Sequence, residues 1–156
     1  MKKVYLIVIM FSIFTSLAAA QQTYLGAGIA LPIIEYGTLP LVAVQVGTLV
    51  ADHVELRANI DTLIVFAGLF GADILYTDTI ADSNARWCAG GGINGLYVAS
   101  QIGGVLFGLH APAGAEFFID LEKRTGIFVE AQPIILFVGV ESPFIFNLRT
   151  GVNFHF

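Results

Sequence analysis

The chain has 156 residues, a formal net charge of −5, 56% hydrophobic and only 12% charged residues. An acidic chain without a basic patch argues against nucleic acid as a partner. The charged share is about half the usual one, which is too little to cover the surface of an exported water-soluble domain. Part of the surface is therefore expected to face a membrane.

The chain opens with Lys2-Lys3, an apolar run from Val4 to Phe14, and then Ser16-Leu17-Ala18-Ala19-Ala20-Gln21. A basic start, a short apolar core and an Ala-x-Ala site predict a secretory signal peptide over residues 1–20, cleaved after Ala20. The apolar core is shorter than the ~20 residues of a spanning helix. Removing Lys2 and Lys3 leaves five Lys and Arg against twelve Asp and Glu, a net charge of −7. Residues 21–156 are expected to form one domain. Cys88 is the one cysteine, so no internal disulfide is possible.

The rest of the chain repeats a simple unit of about ten alternating residues and a turn. Alternation with period 2 predicts a β-strand with two unlike faces. The first unit, 23–31, sets Leu25, Ala27, Ile29 and Leu31 against Gly26, Gly28 and Ala30. Pro32 is expected to end it, with a loop over 33–40. The second covers 41–50, with valines facing Gln45 and Gly47. The third, 54–65, sets Val54, Leu56, Ala58, Ile60 and Thr62 against Glu55, Arg57, Asn59 and Asp61. The fourth, 71–80, sets Ile74 and Tyr76 against Asp73 and Thr77. A polar turn at 82–86 precedes a Gly-rich fifth unit, 87–98. The sixth, 109–119, sets Ala111, Ala113, Ala115 and Phe117 against His110 and Glu116. The seventh, 126–138, sets Ile127, Val129 and Ile135 against Glu130 and Gln132, and Pro133 is expected to mark a bulge or its loop end.

The eighth unit is the sharpest. Phe144, Phe146, Leu148, Thr150, Val152, Phe154 and Phe156 alternate with Asn147, Arg149, Gly151, Asn153 and His155, and the chain given stops on an aromatic. This stretch resembles the C-terminal strand of bacterial outer-membrane β-barrels. The resemblance implies that Val152, Phe154 and Phe156 form the signal read by the β-barrel assembly machinery.

Eight units of about ten residues suit tilted membrane-spanning strands. The fold class expected is all-β, an eight-stranded antiparallel transmembrane β-barrel with short turns, preceded by the signal peptide. In pattern the chain resembles the small outer-membrane barrels of the OmpA transmembrane-domain and OmpX type. That resemblance implies a monomer embedded in outer-membrane lipids. Members of the group serve as envelope scaffolds, adhesins or resistance factors. No cell-wall-binding segment is found, so a tether of the OmpA kind is not expected. The turns at 51–53, 81–86 and 120–125 are expected on the periplasmic side. The segments 33–40, 66–70, 99–108 and 139–143 are expected outside, too short and apolar for an adhesin.

Two rival architectures are weaker. A soluble lipocalin-like barrel would turn the valines inward, but strands one, two and five carry no charge for its outer wall. The aromatics also cluster near strand ends, with Tyr24, Trp87, Phe117, Phe154 and Phe156 at one end. Tyr36, Tyr97, Phe107, Phe137 and Phe144 gather at the other, as in interfacial girdles. A helical membrane protein could use the uncharged stretch 87–115, which contains Gly-x-x-x-Gly spacings. Eight of its residues are glycine, each costing a helix ~1 kcal/mol.

With apolar faces outward, the interior receives a polar cluster of Glu55, Arg57, Asp61, Glu116, Glu130 and Arg149. Gln45, Asn59, Asp73, Asn94, His110, Gln132, Asn147, Asn153 and His155 share that face. Buried charges must be paired. A structural salt-bridge network filling the barrel is the main expectation, with a gate or proton path as its rival. Glu116 and Glu130 are expected to be compensated by Arg149. No cofactor, metal site or catalytic group is expected. His110 is followed by Ala-Pro-Ala, without the Ser two residues on that marks lipid A deacylases. Ser100 and Ser142 have no evident His partner. The function expected is a structural outer-membrane barrel. The alternatives are a conduit or binder for small apolar molecules, or a lipid-modifying enzyme.

Overall fold

The computed structural model describes residues 22–35, 37–63, 67–98, 104–137 and 143–156. The signal peptide and its cleavage site fall outside these residues, as do Tyr36, Ser100 and Ser142. The strand segments are β1 Thr23–Ile34, β2 Gly37–Thr38, β3 Leu41–Ala51, β4 Val54–Leu63, β5 Ala67–Thr79, β6 Ala85–Val98, β7 Gly104–His110, β8 Ala113–Phe118, β9 Thr125–Leu136 and β10 Phe144–His155. Every pairing is antiparallel. β7 and β8 lie end to end between β6 and β9 and make one stave of the wall. β2 extends only the end of β1. β10 pairs with β1, from Tyr24↔His155 to Ile33↔Phe146, and so closes an eight-stranded barrel. Closure removes the free sheet edge.

Two prolines sit inside strands and correct the expected boundaries. β1 continues through Pro32 to Ile34. Thr23 exchanges backbone bonds with Phe156, so odd residues of β1 face β10 and Pro32 turns its nitrogen toward β3. Pairing on that side is interrupted between Ala30↔Leu41 and Ile33↔Thr38, so Pro32 falls in a gap and its missing N–H costs no ladder bond. Pro133 is neither a bulge nor a strand end. It lies within β9 without a register shift, its carbonyl accepting from the Ala111 amide. Pro112 turns toward β6, where its carbonyl accepts from Gly90. The two prolines remove neighbouring donors from the ladder, which splits the stave at Ala111-Pro112.

Three further boundaries move. β5 begins at Ala67, inside the expected loop 66–70, and β7 begins at Gly104, inside the expected loop 99–108. Apolar residues there belong to the wall: Phe70 lies beside Gly95 of β6 and edge-on to Phe107. Arg86 belongs to β6 rather than to the preceding turn. The stretch 87–115 is strand over most of its described length and no helix.

One end of the barrel carries the short turns between β3 and β4, β5 and β6, and β8 and β9. His53, Asp82 and Lys123, one in each turn, have positive φ of 65°, 57° and 55°. In the third turn, the Asp120 carboxylate accepts the amides of Arg124 at 2.8 Å and Thr125 at 2.6 Å. These backbone bonds, Arg124 first, hold the exposed Asp120 carboxyl below the usual carboxylate range.

Burial alternates along each strand. Leu25, Ile29, Val42, Ile74, Ile93, Phe107 and Val129 are exposed on the outer wall, while polar neighbours turn inside. Trp87, Phe117, Phe154 and Phe156 are exposed near the turn end, and Phe107, Phe137 and Phe144 near the other. Tyr24 departs from the expected girdle. It is buried inside, packed over Gly47 of β3, where any side chain would collide with its ring.

Candidate functional site: the ion-paired interior

Parity decides which side chains meet. On β10, Leu148 and Thr150 are exposed, so Asn147, Arg149 and Asn153 point inward and are buried. On β4 the same rule turns in Glu55, Arg57, Asn59 and Asp61, and on β9 Glu130 and Gln132. Glu116 of β8, Asp73 of β5 and His110 of β7 are buried with them.

These side chains form two clusters stacked along the axis. In the middle of the barrel, Arg149 donates from Nε to Asp61 at 3.0 Å. From Nη1 it donates to Gln45 at 2.9 Å and Glu130 at 3.3 Å. Arg57 donates from Nε to Asp73 at 2.8 Å and from Nη1 to Glu130. Asp73 also accepts from Asn59 at 2.9 Å and meets Nε2 of His110. Asn147 donates to Asp61 at 2.9 Å and to Gln132 at 3.1 Å, and Gln132 donates to Glu130 at 2.6 Å. Gly71 gives His110 its room: a Cβ there would lie 2.8 Å from the ring.

The second cluster lies nearer the turn end. Arg86 spans Glu116, 2.5 Å from its Nε, and Glu55, 3.2 Å from its Nη1. The Tyr24 hydroxyl donates to Glu55 at 2.5 Å. Glu116 also accepts from Asn153 at 2.9 Å and contacts His155 at 2.8 Å. Gln45 ties the clusters together by donating to Asn153 at 2.9 Å.

The expected pairing of Arg149 with Glu116 is not the one found. Arg149 lies opposite Glu130 across the β9–β10 ladder. Glu116 pairs in register with Phe128, two residues nearer the turn end. There Arg86 serves it instead. Arg86 and Tyr24 are the members of these two clusters that are absent from the inward set expected from the sequence. Parity held the signal for both, since Trp87 and Leu25 are outward and their neighbours must be inward.

Toward the end opposite the turns, the interior becomes apolar. Leu69, Ile134, Leu136 and Ile145 pack together with Leu96. At the turn end a vestibule of about 690 Å³ opens, lined among others by Asp52, His53, Thr77, Arg86, Phe118 and His155. Between the two charged clusters lies a cavity of about 20 Å³. Among the described residues, no group of three or more His, Cys, Asp or Glu is placed to hold a metal.

A closed eight-stranded antiparallel barrel with apolar side chains outside and ionised ones inside is the fold of the small outer-membrane β-barrels. The structure is similar to the N-terminal β-barrel domain of Pseudomonas aeruginosa OprF, with a TM-score of 0.60 and 17% identity over 88% of this chain and 98% of that one. It is also similar to Neisserial surface protein A, with a TM-score of 0.59 and 12% identity over 86% and 96%. A de novo designed transmembrane β-barrel gives 0.56 and 10% over 85% and 95%. At these identities the likeness is one of fold. No protein-family model matches the chain, and no curated protein matches its sequence.

Proposed function

We propose that this protein is an integral outer-membrane β-barrel with a structural role in the envelope, its polar interior filled by side chains and closed to solutes. The observation that carries this reading is the inverted arrangement of the wall. Leu25, Ile29, Val42, Ile74, Ile93, Phe107 and Val129 form an exposed apolar belt, while Arg57, Arg149 and their carboxylates are buried. Such a belt marks a surface that meets something other than water. Lipid is the partner that fits a belt running round a closed barrel, because closure through β10 and β1 leaves no free strand edge toward it.

The closed interior is supported by three successive barriers: the Arg86 cluster, the Arg57–Arg149 cluster and the apolar cluster around Ile134. An eight-stranded interior is just wide enough for side chains to fill it. A conduit for apolar molecules would need an apolar cavity. The described cavities instead have charged residues in their walls. The barrel is oriented with its three short turns in the periplasm. Val152 and Phe154 lie on β10, Phe156 follows it and exchanges backbone bonds with Thr23, and the three serve as the assembly signal.

The test is conductance and assembly together. The purified barrel reconstituted in planar bilayers is expected to give no steady ion current. Deleting Phe156 is expected to lower the folded amount in the outer membrane while export continues. A stable open channel in the wild type refutes the closed interior, and normal assembly without Phe156 refutes the signal.

A further inference from the structure

The small cavity between the clusters has Glu55, Arg57, Arg86, Cys88, Glu116 and Glu130 among its lining residues. Arg57 uses Nε for Asp73 and Nη1 for Glu130. Its Nη2, out of reach of solvent, has no hydrogen-bond partner among the described protein atoms. A buried N–H left without an acceptor is costly.

We propose that this cavity is a binding site for one water molecule, which adds a second link between the two ion-pair clusters beside the Gln45–Asn153 bond. Size is the first argument. The cavity measures about 20 Å³, and one water needs ~10–15 Å³ by the same kind of measure. Charge and hydrogen bonding supply the rest. A cation cannot accept a bond from Arg57 Nη2. An anion would sit among three carboxylates. Water accepts from Nη2 and still has two protons to donate. Glu55 can take one, because each of its oxygens so far accepts a single donor, Tyr24 on one and Arg86 on the other.

Arg86 also lines the vestibule. Its side chain separates the bound water from the turn-end solvent, and the apolar cluster around Ile134 blocks the other direction. The water therefore exchanges through movement of Arg86. This site stands on the interior geometry alone and does not depend on the barrel's role.

The experiment is NMR of the ¹⁵N-labelled barrel refolded in detergent micelles, reading magnetisation transfer from water to the Arg57 side-chain N–H groups. A cross-peak of a long-lived water at Arg57 is expected in the wild type, and its absence overturns the proposal without any variant. Cys88→Ile extends an apolar side chain into the cavity. It is expected to abolish the cross-peak and lower the urea midpoint, because Nη2 loses its acceptor. A raised midpoint marks a dry cavity that gained from filling, and overturns the site. Arg86→Met is expected to shorten the residence of the water. An unchanged residence overturns the exchange route through Arg86.

Discussion

Replacing Arg149 by Met is the most informative perturbation of the interior. The guanidinium is fully buried and is bonded to Asp61, Glu130 and Gln45. Met keeps much of the packing volume and removes the charge. Asp61 is then left with Asn147 as its donor, whereas Glu130 keeps Arg57 and Gln132. Removing one partner of a buried ion pair costs ~3–5 kcal/mol, because the other charge stays uncompensated. Against a typical domain stability of ~5–15 kcal/mol this is a large share. The inequality between the two carboxylates gives the sharper test. Adding Asp61→Asn to Arg149→Met is expected to recover part of the loss, with a coupling of ~1–3 kcal/mol. Adding Glu130→Gln is expected to recover less. Leu148→Arg, one residue away on the outer wall, is expected to cost ~2–4 kcal/mol in lipid, and neither carboxylate change should rescue it. Urea unfolding of the barrel in lipid vesicles measures all of these. A neutral Arg149→Met together with a tolerated Leu148→Arg refutes the assignment of the faces.

Asn94 is buried with no hydrogen-bond partner among the described residues for either its Nδ2 or its Oδ1. On β6 it is the next inward residue below Leu96 of the apolar cluster. Asn94→Leu is expected to raise the urea midpoint, by ~1–3 kcal/mol if the whole orphaned-amide cost is relieved. For Asp120 the carboxyl is held below its unfolded value by the Arg124 and Thr125 amides. Its stabilisation is therefore complete above the ordinary Asp value of about 4 and is lost as pH falls through the lower folded value. Asp120→Ala should lower the urea midpoint at neutral pH, and the gap to wild type should close in acid. Cysteines placed at Thr38 and Asn84 in a Cys88→Ser background report orientation. A membrane-impermeant thiol reagent on intact cells is expected to label position 38 and not 84.

The faces of the strands were legible because period-2 alternation is a local property. Each of Glu55, Arg57, Asp61, Glu116, Glu130 and Arg149 is buried, and each is flanked by outward residues. The C-terminal strand was legible for the same reason, and it closes the ring on β1. What stayed hidden depends on distant strands. Arg149 reaches Asp61, 88 positions away, through a stagger of the whole barrel that no single strand encodes. Pro32 reads as a breaker because its neighbour's end point is invisible from β1 alone. Arg86 reads as part of a polar turn because Asp82, Ser83 and Asn84 precede it. The outward Trp87 was the better guide to it.

The proposed function requires the apolar belt to lie in the outer-membrane bilayer. It is tested most directly by separating inner and outer membranes of cells producing the protein and running the outer-membrane extract on gels with and without boiling. Recovery in the outer-membrane fraction after a salt wash is expected, with a band that migrates differently when unheated, as a barrel that stays folded in detergent does. Recovery in the soluble fraction, or a single band unaffected by heating, contradicts it.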